Sequence, residues 1–225
     1  MSDPGDGARR VAVLASGGVD SAVLVADHSS RGEEVQPIYI RFGLAWEEAE
    51  EEHLRRFLDS LPADRPARPL IALEFPVADV YGEHWSVSGA EVPDEDTADS
   101  AVYLPGRNLL LMAKSSVWCA LNDFGVVSLG TLKGNPFADS GAEFLDGLAS
   151  LASLALDRPL AIETPFAGFT KTEVLERGRH LALELTFSCI DPQEGEHCGR
   201  CNKCAERRRA FAASGMTDRT VYADG

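Results

Sequence analysis

Residues Ser16-Gly17-Gly18-Val19-Asp20-Ser21 place two glycines and an acid between hydroxyls. An apolar run over 11–15 precedes them, and a helical stretch over 21–30 follows. A glycine turn between strand and helix lets the backbone turn sharply. It aims successive N–H groups into one concavity, and the helix N-terminus adds partial positive charge. Residues Ala15 to Ser21 are thus expected to hold phosphate without a lysine, with the Ser16 and Ser21 hydroxyls as further donors. Asp20 repels phosphate, so its expected role is to hold Mg²⁺. The segment lacks both the Gly-Lys-Ser/Thr ending of a Walker loop and the G-x-G-x-x-G of a dinucleotide fold.

Four of the five cysteines form the second constellation: Cys189, Cys198, Cys201 and Cys204, spaced C-x8-C-x2-C-x2-C. Zinc takes four thiolates at tetrahedral corners, and each C-x2-C knuckle supplies two. Gly199 permits the tight turn. Four protein ligands leave no open position, so the site is expected to be structural. An iron–sulfur cluster uses the same ligand set, and disulfides are a third reading. Cys119, on an apolar helical stretch, is expected in the core.

Strand and helix signals alternate five times. Strands are expected at 11–15, 35–42, 70–75, 126–130 and 160–163, with helices at 21–30, 46–61, 108–124, 142–156 and 170–180. In 46–61 the apolar residues fall at 46, 49, 54, 57, 58 and 61, with Glu and Arg on the other face. Thr170 and Glu173 have capping-box spacing. Residues 79–105 show no clean period and are expected to form a long loop, a possible lid. The alternation implies an α/β fold with a doubly wound parallel sheet, whose ligands sit beyond the carboxyl ends of the strands. On that rim, Lys133, Phe137 and Asp139 are candidate ligand contacts, against the bland reading that Phe137 packs into the core and Asp139 caps the helix beginning near Gly141. They offer a cation, a stacking face and an N–H acceptor. A tail over 1–10, an ATP-binding domain over 11–183 and a metal-binding segment over 184–225 complete the expected organisation.

The net charge of −15 opposes general binding to nucleic acid, whose phosphates it repels; Arg207, Arg208 and Arg209 make the visible local basic patch. No run of about 18 apolar residues spans a membrane. Residues 1–10 lack the apolar core of a signal peptide, so a cytoplasmic location with reduced thiols is expected.

The hexad resembles the SGGxDS signature of PP-loop ATP pyrophosphatases. With the cysteine array it resembles the QueC family of 7-cyano-7-deazaguanine synthases, over about residues 10–216. Pro105-Gly106-Arg107-Asn108, Thr164-Pro165-Phe166 with Lys171, and Thr186-Phe187-Ser188-Cys189 carry the likeness between the motifs, and Arg207 follows the last cysteine. The resemblance implies ATP-dependent conversion of 7-carboxy-7-deazaguanine and ammonia to a nitrile through an amide. It implies Mg²⁺ and structural Zn²⁺ as cofactors, and a homodimer. Asp20, Arg107 and Lys171 would be catalytic and Asn108 a substrate contact; as bland alternatives, Arg107 pairs on the surface and Asn108 caps a helix.

Two segments depart from the family. Where members often read Tyr-Gly-Gln-Arg-His, this chain has Phe42-Gly43-Leu44-Ala45-Trp46. Where they carry Gly-Tyr-Pro-Asp-Cys-Arg, it has Gly134-Asn135-Pro136-Phe137-Ala138-Asp139-Ser140. These departures keep two other readings open. One is a paralogue that activates another carboxylate or joins a deazaguanine to a macromolecular amine. The other is a nucleotide-binding module without catalysis.

Overall fold

The computed structural model describes residues 8–64 and 67–223. Residues 1–7, most of the expected tail, lie outside the described residues. Arg9 is paired with Glu33 and Glu163, and Arg10 already opens the first strand.

Five strands form one parallel sheet in the order β3-β2-β1-β4-β5. They are β1 (Arg10–Leu14), β2 (Glu34–Arg41), β3 (Ile71–Glu74), β4 (Val126–Ser128) and β5 (Ala161–Glu163). The helices are α1 (Val19–Ser30), α2 (Glu47–Asp59), the single turns α3 (Ala78–Tyr81) and α4 (Trp85–Ser88), α5 (Arg107–Leu121), α6 (Ala142–Leu156), α7 (Lys171–Arg177) and α8 (Asn202–Ser214). The chain winds outward from β1 to β3, then crosses to β4. The winding direction therefore reverses between β1 and β4, and a crevice opens beyond their carboxyl ends.

Helices cover both faces, so central strands are apolar on both sides. In β1, Val11 and Val13 pack with Leu24 of α1, Val174 of α7 and Phe211 of α8. Ala12 and Leu14 face the other way, toward Met112 and Cys119 of α5 and Leu145 of α6. Cys119 is fully buried, which pushes its thiol pKa up to about 12.

Three expectations need correction. Residues 79–105 are not one loop: they hold α4, most of α3 and a 3₁₀ turn at Asp99–Val102. Trp85 stacks on Trp46 with centroids 5.6 Å apart, and Asn202 ties Pro93 and Thr97 to α8, so this segment is pinned. The polar side of α2 is not all solvated, since Glu50, Glu51 and His53 are buried. The helix expected over 170–180 ends at Arg177. A Cβ on Gly178 would lie 2.5 Å from Val23 Cγ2, so the glycine lets the chain leave close against α1. Its start is as expected: Thr170 Oγ1 accepts from Glu173 N–H at 3.3 Å and Glu173 accepts from Thr170 N–H at 2.7 Å.

Candidate active site

Gly18 caps α1 with extended backbone and has no side chain to satisfy the first N–H groups of the helix. Ala22 N–H bonds back to Gly18 O at 3.0 Å. The N–H groups before it open beyond the strand, at the positive end of the helix dipole. Gly17 makes the turn with φ +79°, and a Cβ there would meet the Glu50 carbonyl oxygen at 3.0 Å. Ser21 Oγ braces the loop, accepting from Ser16 N–H at 3.2 Å and donating to Gly18 O at 3.1 Å. Gly130 faces it from the exit of β4, where a Cβ would lie 3.2 Å from the carbonyl carbon of Asp20. Gly130 thus lets the loops of the switch point touch, and Gly17 lets the first of them pass against α2.

These loops form one wall of a cleft of about 520 Å³. Ala15, Ser16, Gly18, Val19, Asp20 and Ser21 line it, while Gly17 turns behind the wall against α2. Lys171 Nζ donates to Asp20 Oδ2 at 2.6 Å and lies 3.9 Å from Glu206 Oε1. Burial acts to lower the Lys171 pKa, but the Asp20 and Glu206 carboxylates outweigh it and hold the ammonium above its ordinary value. The other oxygen, Asp20 Oδ1, is buried with no hydrogen-bond partner. A carboxylate oxygen left bare beside an open helix N-terminus suits a cation, so Asp20 fits the expected Mg²⁺.

Arg107 opens α5, and its Nε is buried with no hydrogen-bond partner. Asn108 and Asp139 engage each other: the Asn108 N–H donates to Asp139 Oδ2 at 3.0 Å and its Nδ2 to Oδ1 at 3.3 Å. Asp139, expected to meet a substrate N–H edge, is instead the acceptor that holds the first turn of α5. Phe137 stacks on Tyr103 at 5.0 Å, and Lys133 stands exposed. Arg107, Asn108, Lys133, Phe137, Asp139 and Lys171 all border the same cleft. Three of the four lysines of this acidic chain, Lys133, Lys171 and Lys203, gather there, Lys171 paired with Asp20 and Lys203 with Glu206.

Sequence reasoning missed Tyr39, Glu50, Tyr103, Lys203 and Glu206, which also line the cleft. For Glu50 a signal existed: with Trp46, Leu54 and Phe57 it falls on the apolar face of α2, an unusual place for an acid. Lys203 and Glu206 share one face of α8 and are joined at 2.7 Å. Of the basic patch at Arg207–Arg209, Arg208 and Arg209 are exposed and Arg207 is withdrawn from the surface. Arg207 is buried, donating to Thr186 Oγ1, Ser188 Oγ, Leu183 O and Thr220 Oγ1, and Arg208 lies over the Tyr222 ring.

Beside the cleft, the sulfurs of Cys189, Cys198, Cys201 and Cys204 are buried and lie within 4.8 Å of one another. Cys189 and Cys201 are 3.8 Å apart, too far for a disulfide. It is the edge of a tetrahedron with metal–sulfur bonds of about 2.3 Å. N–H groups of Asp191, Cys198 and Cys201 each reach a cysteine sulfur at 3.3 Å, which favours thiolates. Gly199 has φ +82° at the knuckle. The donor set and spacing fit a closed metal site. The Phe187 N–H donates to Gly17 O at 2.8 Å, so the segment leading to this site is bonded to the phosphate loop.

The family described as Queuosine biosynthesis protein QueC matches residues 10–215. A 7-cyano-7-deazaguanine synthase of Methanothermobacter thermautotrophicus is 30% identical, covering 95% of this chain and 99% of its own. One from Marinobacter nauticus is 29% identical over 94% and 96%. Among solved structures, a 4-thiouridine synthetase in complex with RNA and bound ATP aligns with TM-score 0.51 at 18% identity, over 92% of this chain and 50% of that one. A predicted subunit of a tRNA methyltransferase from Methanocaldococcus jannaschii aligns with TM-score 0.50 at 16% identity, over 93% and 90%. These two carry the fold alone. The family match spans nearly the whole chain, through both the phosphate loop and the four cysteines: the chain belongs to the QueC family.

Proposed function

We propose that this chain uses ATP to convert 7-carboxy-7-deazaguanine and ammonia into 7-cyano-7-deazaguanine. The observation that carries the reading is the single cleft that joins an open helix N-terminus and the Asp20–Lys171 pair to Arg107 and the Phe137–Tyr103 stack. A carboxylate becomes electrophilic only when its oxygen is made a leaving group. The first N–H groups of α1 hold the phosphates of ATP. Lys171 and Arg107 stabilise the charge that develops as the activating group leaves. Mg²⁺ on Asp20 would offset phosphate charge in the same step. Ammonia then forms an amide, and a second activation removes the amide oxygen to leave the nitrile. Phe137 and Tyr103 offer the stacking surface for the planar base, and Lys133 meets its carboxylate. Asn108 and Asp139 shape the acceptor side by fixing the start of α5.

The four cysteines hold Zn²⁺, which keeps α8 and its Lys203 and Glu206 at the cleft. A homodimer is proposed through apolar residues exposed on neighbouring helices, Leu109, Val117 and Leu121 of α5 with Leu151 and Leu154 of α6; sedimentation measures it. No helix among the described residues is long and apolar enough to cross a membrane, in keeping with a cytoplasmic enzyme.

The second reading, a paralogue with another carboxylate acceptor, draws on the engagement of Asp139 by Asn108, which leaves no unpaired acid in that loop to meet a guanine edge. Turnover of ATP with and without 7-carboxy-7-deazaguanine and ammonium, with products identified by mass, separates the two. Nitrile formation is expected. ATP turnover that ignores the deazaguanine overturns the first reading.

A further inference from the structure

Among the described residues two other buried acids have charged donors, while buried Asp139 has the neutral donors of Asn108. Glu51 is held by Arg41 and Arg55, and Asp27 by Arg31 and Arg177. Glu50, one residue from Glu51, is buried in the cleft wall with no cation in hydrogen-bonding reach among the described residues. Its Oε2 accepts from the neutral Tyr39 hydroxyl at 2.7 Å, and Trp46 is a further donor. An anion kept so dry without a salt bridge is costly. Its surroundings are two aromatic side chains that also line the cleft, the phenol of Tyr39 from β2 and the indole that precedes α2. Arg107 of α5 lies near enough to favour its charge, and Glu47 of α2 opposes it. Two carboxylates against one guanidinium leave this corner with negative charge. A carboxylate flanked by aromatic rings suits a small cation.

We propose that Glu50, Tyr39 and Trp46 form the site that receives ammonium, and that Glu50 takes the proton ammonium must shed before its nitrogen attacks. This rests on the amide-forming reading above and names the group that serves its nitrogen donor. One N–H bond of ammonium breaks and the proton passes to the Glu50 carboxylate. The freed nitrogen lone pair forms the C–N bond at the activated carboxyl carbon. The C–O bond to the nucleotide breaks, and AMP leaves with that electron pair. The new amide nitrogen loses its extra proton to solvent, as Glu50 later does. Burial raises the Glu50 pKa to about 7, despite the opposing effects of Arg107 and Tyr39, so the base is matched to neutral pH.

The test compares ammonium with hydroxylamine, a nucleophile already uncharged at neutral pH, in amide or hydroxamate formation by the full chain. In Glu50→Gln the ratio of turnover with ammonium to turnover with hydroxylamine should fall about a hundredfold. In the wild type, kcat/KM for ammonium should rise through a limb near pH 7. Tyr39→Phe removes a bond that favours the carboxylate, so that limb should move to higher pH. An unchanged ratio in Glu50→Gln, or a limb unmoved in Tyr39→Phe, overturns the role. Equal loss with both nucleophiles also overturns it, since that marks a structural effect. If the wild type makes no product with either nucleophile, the parent reading fails and takes this role with it.

Discussion

Glu50 couples the protonation of one side chain to folding. Burial lifts its pKa from 4.5 to about 7, so the folded state holds a proton that the unfolded state releases. Below pH 4.5 both states are protonated and this acid makes no charge-linked difference. As pH rises from there to about 7, the unfolded state gains the advantage, and above that the loss is complete. The full effect is about 3 kcal/mol at one pKa unit per 1.36 kcal/mol. Glutamine can still accept from the Tyr39 hydroxyl but carries no charge. Glu50→Gln is therefore expected to melt near the wild type at pH 4.5 and about 5–10 °C above it at pH 8. Thermal melts across that range check this, and a constant difference would place Glu50 in a wetter setting. The glycine turn before α1 and the meeting of the four cysteines were legible because those residues lie close together in the chain. The partners of Glu50 were not, because Tyr39 and Arg107 reach it only through the order of the sheet. The partner of Asp139 was not legible for the same reason, being 31 residues away.

At the scale of the element, the turn leaving β1 must pass close against α2, and glycine decides whether it can. Gly17 has φ +79° and no room for a Cβ against the Glu50 carbonyl, whereas Gly18 has an ordinary φ and a Cβ there would meet its nearest atom, Ser16 Oγ, at 3.5 Å. The two adjacent glycines should thus respond differently to alanine. Gly17→Ala combines a left-handed backbone with a backbone clash and should cost about 1–3 kcal/mol. Gly18→Ala should change stability by only a few tenths of a kcal/mol, about the difference in capping and backbone entropy. Denaturant titration of the two variants checks this, and equal losses would contradict the geometry of the turn. The alternation of strands and helices was legible because each element shows its own period. The turns within 79–105 were not. Those two helices span only Ala78–Tyr81 and Trp85–Ser88, too short to show a helical period. Tertiary partners such as Trp46 and Asn202 pack the segment instead.

For the whole molecule, the four-cysteine site and the ATP cleft behave as one unit, because α8 belongs to both. Cys201 precedes the helix and Cys204 lies in its first turn, while Lys203 and Glu206 extend from it into the cleft. Arg207 fastens the same helix to Thr186, Ser188 and Leu183, and Phe187 between them is bonded to Gly17. A metal bound there stabilises the fold directly, since the unfolded chain offers no preformed site; structural zinc commonly contributes on the order of 10 kcal/mol. It also sets the position of Glu206, which helps hold Lys171 charged. Removing the metal with a chelator, or substituting Cys201→Ser, should therefore lower the melting temperature sharply. In whatever protein stays folded, it should also weaken ATP binding, although no cysteine is expected to touch the nucleotide. Elemental analysis should find one zinc per chain in the native protein, and calorimetric titration with ATP before and after chelation measures the coupling. Iron in place of zinc would reassign the metal. Metal-free protein with unchanged melting and unchanged ATP affinity would show that α8 holds its place without the cysteine site, and that the two halves of the unit are independent.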